Sequence, residues 1–219
     1  VSPGTITANG DVYAGERNDS TSANDSLIDS PTNYAAISGN NGGNYATFNP
    51  LHVGNSSNSG VANSASLSDG NLRSDGASGK WGAAISTMPV PSSGKWYFEF
   101  TCLGTNSNFG LFKPVYALDG TIRTSTDSKA VWYGFDGIVY HYVSSTVTDS
   151  STPATYTTND VIGIAVDSDA YTVKYYKNNS LQYTQTLVSA LQTELDAGNL
   201  FPGADTYSGV DAIVNFGQR

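Results

Sequence analysis

Between residues 93 and 218 the chain alternates short apolar segments with turn-forming clusters, and that rhythm leaves few folds open. Seven segments recur: Ser93–Phe100, Phe109–Leu111, Trp132–Gly137, Asn159–Asp167, Val173–Asn179, Leu200–Ala204 and Val214–Gln218. Strand signals at this spacing predict an all-β, two-sheet antiparallel sandwich. Side chains alternate between the two faces of a strand. Ile162, Ile164 and Val166 therefore share one face, while Gly163 and Ala165 share the other and leave room for close packing. The predicted inward residues are Trp96, Phe98, Ile162, Ile164, Val173, Tyr175, Val214 and Phe216. Lys177-Asn178-Asn179-Ser180 predicts a hairpin between Val173–Tyr176 and Leu181–Tyr183, because Asn tolerates left-handed backbone. One short helix interrupts the strands. Ser189 is its expected cap, Gln192 the reciprocal member of a capping box, and Leu191 and Leu195 share a face. Gly198 and Pro202 then stop it.

The chain divides into three blocks. In residues 1–27, Asn9-Gly10 joins Thr5–Ala8 to Asp11–Ala14 as a candidate hairpin, and Glu16–Ser26 is almost wholly polar. This block has too few apolar side chains for a core of its own, so it is expected to be an N-terminal hairpin or arm used for assembly. Residues 28–92 form lead-in strands and loops packed on the core. Strand candidates lie at Ala46–Leu51, Ala65–Leu67, Leu72 and Trp81–Met88; Asn40–Asn44 and Asp69-Gly70 are turns, and Gly54–Asn63 is a polar loop. Residues 93–219 are the sandwich core.

Read in order, the segments from Ser93-Gly94-Lys95-Trp96-Tyr97-Phe98-Glu99-Phe100 to Val214-Asn215-Phe216-Gly217-Gln218 resemble the SPRY domain, a concanavalin-like β-sandwich. The resemblance implies a binding or scaffolding module whose motifs supply no catalytic group. SPRY domains usually show Lys-Asn-Gly at the hairpin, so Asn179 departs from the pattern and implies slight strain. Upstream, Asp29–Tyr34, Gly43–Leu51 and Leu67–Leu72 resemble the lead-in of SPRY-containing virion proteins of marine bacteriophages. That resemblance implies a fibre, whisker or capsid-surface protein located in the virion, with other virion subunits as partners and assembly as a homo-oligomer. Such relatives commonly continue further, so a stop at Arg219 implies a shorter relative or a piece of a longer polypeptide.

Charge and motifs narrow the chemistry. Ten Lys and Arg against nineteen Asp and Glu give a net charge of -9, which repels phosphate backbones and argues against nucleic-acid partners. No apolar run reaches membrane-spanning length and no basic-then-apolar leader opens the chain, so no membrane insertion is expected. A single cysteine, Cys102, excludes an internal disulfide and reads as a small buried hydrophobe. A glycosidase needs two carboxylates converging on one face. Glu99 stands alone in its strand, and Asp167 and Asp169 fall in a strand-ending turn. His52 and His141 have no partner at ligand spacing, so no metal and no cofactor is expected. The chain reads as no enzyme.

The best binding candidates are Tyr133, Asp136, His141 and Tyr142, an aromatic group with a carboxylate suited to a host glycan or receptor. Neighbouring Trp132 and Phe135 read instead as inward sandwich residues. A carbohydrate- or receptor-binding adhesin is thus the alternative reading. A subunit of a cellular extracellular filament or surface layer is the third.

Overall fold

Alternation is plainest in Lys95–Cys102, where Phe98, Phe100 and Cys102 are buried while Lys95 and Tyr97 face solvent. The computed structural model describes residues 45–55, 65–76, 79, 81–114, 129–144, 146–151 and 153–217. The expected hairpin or arm at 1–27 and the turn at 40–44 lie outside them. The chain divides into two units, Ala46–Phe216 and a second made of Val1–Tyr45 with Gly217–Arg219. Every described strand and helix belongs to the first.

The strands are β1 (Phe48–Asn55), β2 (Ala65–Ser68), β3 (Arg73–Gly76), β4 (Trp81–Ser86), β5 (Lys95–Cys102), β6 (Ser107–Phe112) and β7 (Lys129–Gly134). They continue as β8 (Val139–Val143), β9 (Thr146–Ser151), β10 (Val161–Asp167), β11 (Thr172–Lys177), β12 (Ser180–Thr186), then α1 (Ser189–Asp196), β13 (Phe201–Tyr207) and β14 (Asp211–Asn215). Two antiparallel sheets result, ordered β1-β4-β13-β6-β7-β8-β9 and β12-β11-β10-β5-β14-β3-β2. The strands of the lead-in block are woven into both sheets: β4 lies between β1 and β13, and β3 pairs with β14.

Between the sheets sits a ring-rich core. In the second sheet Ile164 lies opposite Phe98 on one side and Tyr175 on the other, and all three are buried. Phe100 stacks on Phe109 of the first sheet with centroids 4.8 Å apart and planes 8° from parallel. Phe216 packs edge-on against Phe48 and Phe100. The first sheet is buried on both faces along β4, β6, β7 and β13. Its far side carries a second cluster of Ala83, Ile85, Phe112, Ala130, Trp132 and Tyr142. The second sheet alternates buried and exposed residues along β5 and β11, so its outer face meets water.

Several local expectations change. Trp96 is 42% exposed rather than inward. It stands opposite Val166 at the start of β5, and its indole N–H donates back to the Ser93 carbonyl oxygen at 2.8 Å. An indole N–H needs an acceptor when buried, and the adjoining turn supplies one at the surface. Leu72 lies in the turn before β3, not in a strand. The helix cap is Val188 with extended backbone and no side-chain capping bond, and Ser189 is already helical. Gln192 donates instead to the Leu187 carbonyl oxygen at 2.7 Å. Leu191 and Leu195 are fully buried, and Gly198 turns the chain out of the helix at φ +68°. The hairpin at 177–180 has two central residues, Asn178 (φ 48°) and Asn179 (φ 65°), both left-handed, as a primed turn requires. Cys102 is fully buried, as read.

Candidate functional site

The strands divide the four candidate residues between two faces. Register puts Val139 opposite Tyr133 and His141 opposite Val131, and these four share the inner face. Tyr133 is fully buried; its phenol donates to the Ala154 carbonyl oxygen, and burial followed by the charge of Asp160 pushes its pKa up to about 12. His141 is buried, and burial lowers its pKa. Tyr142 lies opposite Ala130 on the other face, within the second cluster. Asp136 alone is exposed. Its carboxylate accepts from the Tyr140 hydroxyl and, at 3.2 Å, from the Ile138 N–H. Trp132 is buried as read, but on the far side of the first sheet, stacked between Phe112 and Tyr140. Phe135 is half-buried against the main core.

Asp136 marks one end of the sandwich. Here β4 begins, β6 begins, and β7 and β13 end, because Trp81 pairs with Tyr207 and Asn108 with Gly134. Trp81 packs on Tyr207 (centroids 5.3 Å apart) and on Phe135 (6.5 Å), and all three rings are half-buried. Beside them lie the polar side chains of Asp136 and Asn108. Gly134 lacks a side chain where a Cβ would meet Asp136 Oδ1 at 2.5 Å and Asn108 Oδ1 at 3.2 Å. Asn108 is 3% exposed, and its amide nitrogen has no hydrogen-bond partner. The loops are held in left-handed backbone at Asn106 (φ 70°) and Ser208 (φ 58°). Rings at strand ends beside an exposed carboxylate suit the recognition of a polypeptide.

A second open surface lies on the outer face of the other sheet. A groove of about 250 Å³ is lined by Lys95, Trp96 and Tyr97 of β5, Ala165 and Asp167 of β10, and Lys174 and Tyr176 of β11, among others. Lys95 pairs with Asp167 across the strands; this raises the lysine pKa and lowers that of the carboxyl. Of these two surfaces sequence reading singled out Asp136 alone. The adjacent aromatic pair Trp96-Tyr97 was the available signal, because a period of two sends one of any two neighbours outward.

Among the described residues no three His, Cys, Asp or Glu side chains gather where they could hold a metal. Asp169 accepts from the Gly94 N–H at 3.1 Å and Asp167 from the Ala170 N–H at 3.1 Å, so both carboxylates serve the turns around them. Glu99 accepts from the Tyr97 hydroxyl at 2.6 Å.

Two antiparallel sheets with one short helix define a concanavalin-like β-sandwich. The SPRY domain family model matches residues 95–219, and the chain belongs to that family, whose domains mediate protein–protein interactions. Among solved structures it is similar to the SPRY domain of human HERC1, with 20% identity and a TM-score of 0.55 over 78% of this chain and 99% of that one. It is similar also to the TRIM65 PSpry domain, with 11% identity and a TM-score of 0.51 over 78% and 92% of the two chains. The shared fold covers a larger share of the chain than residues 95–219, so it takes in strands of the lead-in block. No curated protein matches the chain.

Proposed function

We propose that this chain is a non-enzymatic docking module of a larger assembly and that it binds a protein partner at the sandwich end formed by Trp81, Phe135, Tyr207 and Asp136. The observation that carries this reading is the juxtaposition there of three half-buried rings with the exposed Asp136 carboxylate. Tryptophan and tyrosine dominate binding energy at protein interfaces. Membership of a protein-interaction family supports the same reading.

The assembly is proposed to be a bacteriophage virion, with the chain in a fibre, whisker or capsid-surface position among other copies of itself. What supports this is the resemblance of Asp29–Tyr34, Gly43–Leu51 and Leu67–Leu72 to phage virion proteins, together with a polar block at 1–27 unable to build its own core. Mass measurement of the chain in solution and within native particles tests both parts. The reading expects a stoichiometric particle component, and Tyr207→Ala should cut incorporation at least about tenfold, the loss of one moderate interface anchor. A stable monomer absent from every particle, or unimpaired incorporation of a folded Tyr207→Ala variant, would overturn it.

A further inference from the structure

The outer face of the second sheet carries an aromatic plate. Tyr97 lies across the neighbouring strand on Gly163, where an added Cβ would fall 2.3 Å from its hydroxyl oxygen and 3.0 Å and 3.1 Å from Cζ and Cε2. The hydroxyl end of the ring thus rests against the sheet. Its hydroxyl is tied to Glu99, and burial followed by that bond raises the phenol pKa. The residue remains 51% exposed, so the rest of the ring is open to the groove. Trp96, 42% exposed, is held at one margin by its bond to Ser93, and Tyr176 stands across at the other. A ring anchored at its hydroxyl with the rest of its surface open gives stacking area and has less entropy to lose on binding than a free one.

Charge narrows the ligand. Arg73, Lys95, Lys113, Lys129 and Lys177 each sit in an ion pair, whereas exposed Lys174 sits in none among the described residues. Lys95 and Lys174 stand against Asp167, Glu99 and Asp169, so the plate is close to charge-balanced inside a protein of net charge -9. An acidic polymer is repelled by the whole molecule, and a strongly basic one meets two lysines at the plate. An uncharged ligand with one flat C–H face and a rim of hydroxyls fits. Its hydroxyls accept from the ammonium groups and donate to Asp167, and Thr172 and Tyr176 offer hydroxyls of their own. The volume, just under the roughly 300 Å³ at which small-molecule pockets begin, suits one ring of a longer chain.

We propose that the Tyr97 plate, with Trp96, Asp167 and Lys174 around it, is a binding site for a neutral saccharide chain. It is separate from the protein-docking end, since it lies on the other sheet and at the opposite ends of its strands.

Native electrophoresis of the full chain through gels containing soluble neutral polysaccharides (a β-glucan, an α-glucan and a galactomannan), with a polyuronate gel as the charged arm, tests this. Tryptophan fluorescence with the matching oligosaccharides supplies the affinities. At least one neutral polymer should retard the protein, and about 0.5 M salt should leave the retardation nearly unchanged, because no net charge is matched. Tyr97→Ala should weaken binding about tenfold (about 1.4 kcal/mol), whereas Tyr97→Phe, which keeps the plate, should stay within about threefold. Lys174→Ala, at an exposed residue outside any ion pair, is the second variant should Tyr97→Ala fail to fold, and should weaken binding about threefold. Absence of retardation by every neutral polymer would overturn the proposal. So would retention by the polyuronate alone, or undiminished binding by a folded Tyr97→Ala or Lys174→Ala chain. A protein partner at the Trp81 end without saccharide binding would sink this site and leave the docking reading standing.

Discussion

Truncating Phe100 should be among the most damaging single changes in the chain, and its neighbour in alternation, Trp96, among the mildest for a large aromatic. Both belong to β5, and strand period alone assigns them to the same face. Phe100 is fully buried in the middle of the second sheet, bonded to β10 on one side and β14 on the other. Its ring lies 4.8 Å from Phe109, 5.9 Å from Phe98, 6.4 Å from Phe48 and 6.5 Å from Phe216. Phe→Ala in a core costs about 3–5 kcal/mol, through lost transfer energy and the cavity that remains. The upper part of that range applies here, because the walls belong to two hydrogen-bonded sheets that cannot close on the gap. Trp96→Ala removes one surface hydrogen bond and a half-covered ring, so about 1 kcal/mol is expected. Urea unfolding reads both values. With a slope of about 2 kcal/mol per molar, a 4 kcal/mol loss moves the midpoint by about 2 M. A Phe100→Ala loss below about 1.5 kcal/mol, or a Trp96→Ala loss equal to it, would refute this placement of the core boundary.

Three further outcomes follow from local geometry. Burial pushes the Glu194 carboxyl up, but hydrogen bonds from Lys129, Asn199 and Lys113 together outweigh it and hold the pKa below the usual range. Its stabilising effect should therefore be complete above the ordinary carboxylate range and fade as pH falls through the lowered value, so Glu194→Gln should cost about 1–3 kcal/mol at pH 7 and progressively less in acid; a pH-independent cost would contradict the pairing. At Gly110 a Cβ would fall 2.1 Å from the Val131 carbonyl oxygen and 2.6 Å from Trp132 Cα, both backbone, whereas at Gly163 the three nearest atoms all belong to the far end of the Tyr97 side chain. Thermal unfolding should thus find Gly110→Ala more damaging by about 2 kcal/mol or more. At the hairpin, Asn179→Ala should cost about 1 kcal/mol for its left-handed φ of 65°, and Asn179→Gly nothing. Asn178→Gly should still destabilise, because the Asn178 side chain bonds the Val161 N–H at 2.9 Å and Asp160 at 2.7 Å; equal stability of the two glycine variants would contradict that difference.

The sandwich was legible because its evidence is periodic. Phe98, Ile162, Ile164, Val173, Tyr175 and Val214 are buried where alternation put them, and the Asn178-Asn179 turn follows from residue type alone. Failures gather where a side chain chooses between equal partners. Trp96 obeys its register yet leaves the core for the Ser93 carbonyl, and Ser189 gives up capping to a helix that starts one residue earlier than its type implies. Surfaces were harder to read because they depend on which sheet is covered. Trp132 and Tyr142 alternate with Tyr133 and His141, and a sheet buried on both faces hides both sets. Tyr97 and Lys174 are 77 residues apart and meet only through the β5–β10–β11 register. No local motif announces such a meeting.

The most direct test of the docking reading is site-specific photocrosslinking in the native assembly. A crosslinking residue at Phe135, beside the Trp81–Tyr207 pair, is compared with one at Met88, which is 36% exposed just past the opposite end of β4 from Trp81. Mass spectrometry of the adducts should find the Phe135 position joined to one defined segment of another polypeptide, with Met88 joined to it rarely or not at all. Adducts of equal yield from both positions, or none from Phe135 in an assembly that contains the chain, would contradict the account.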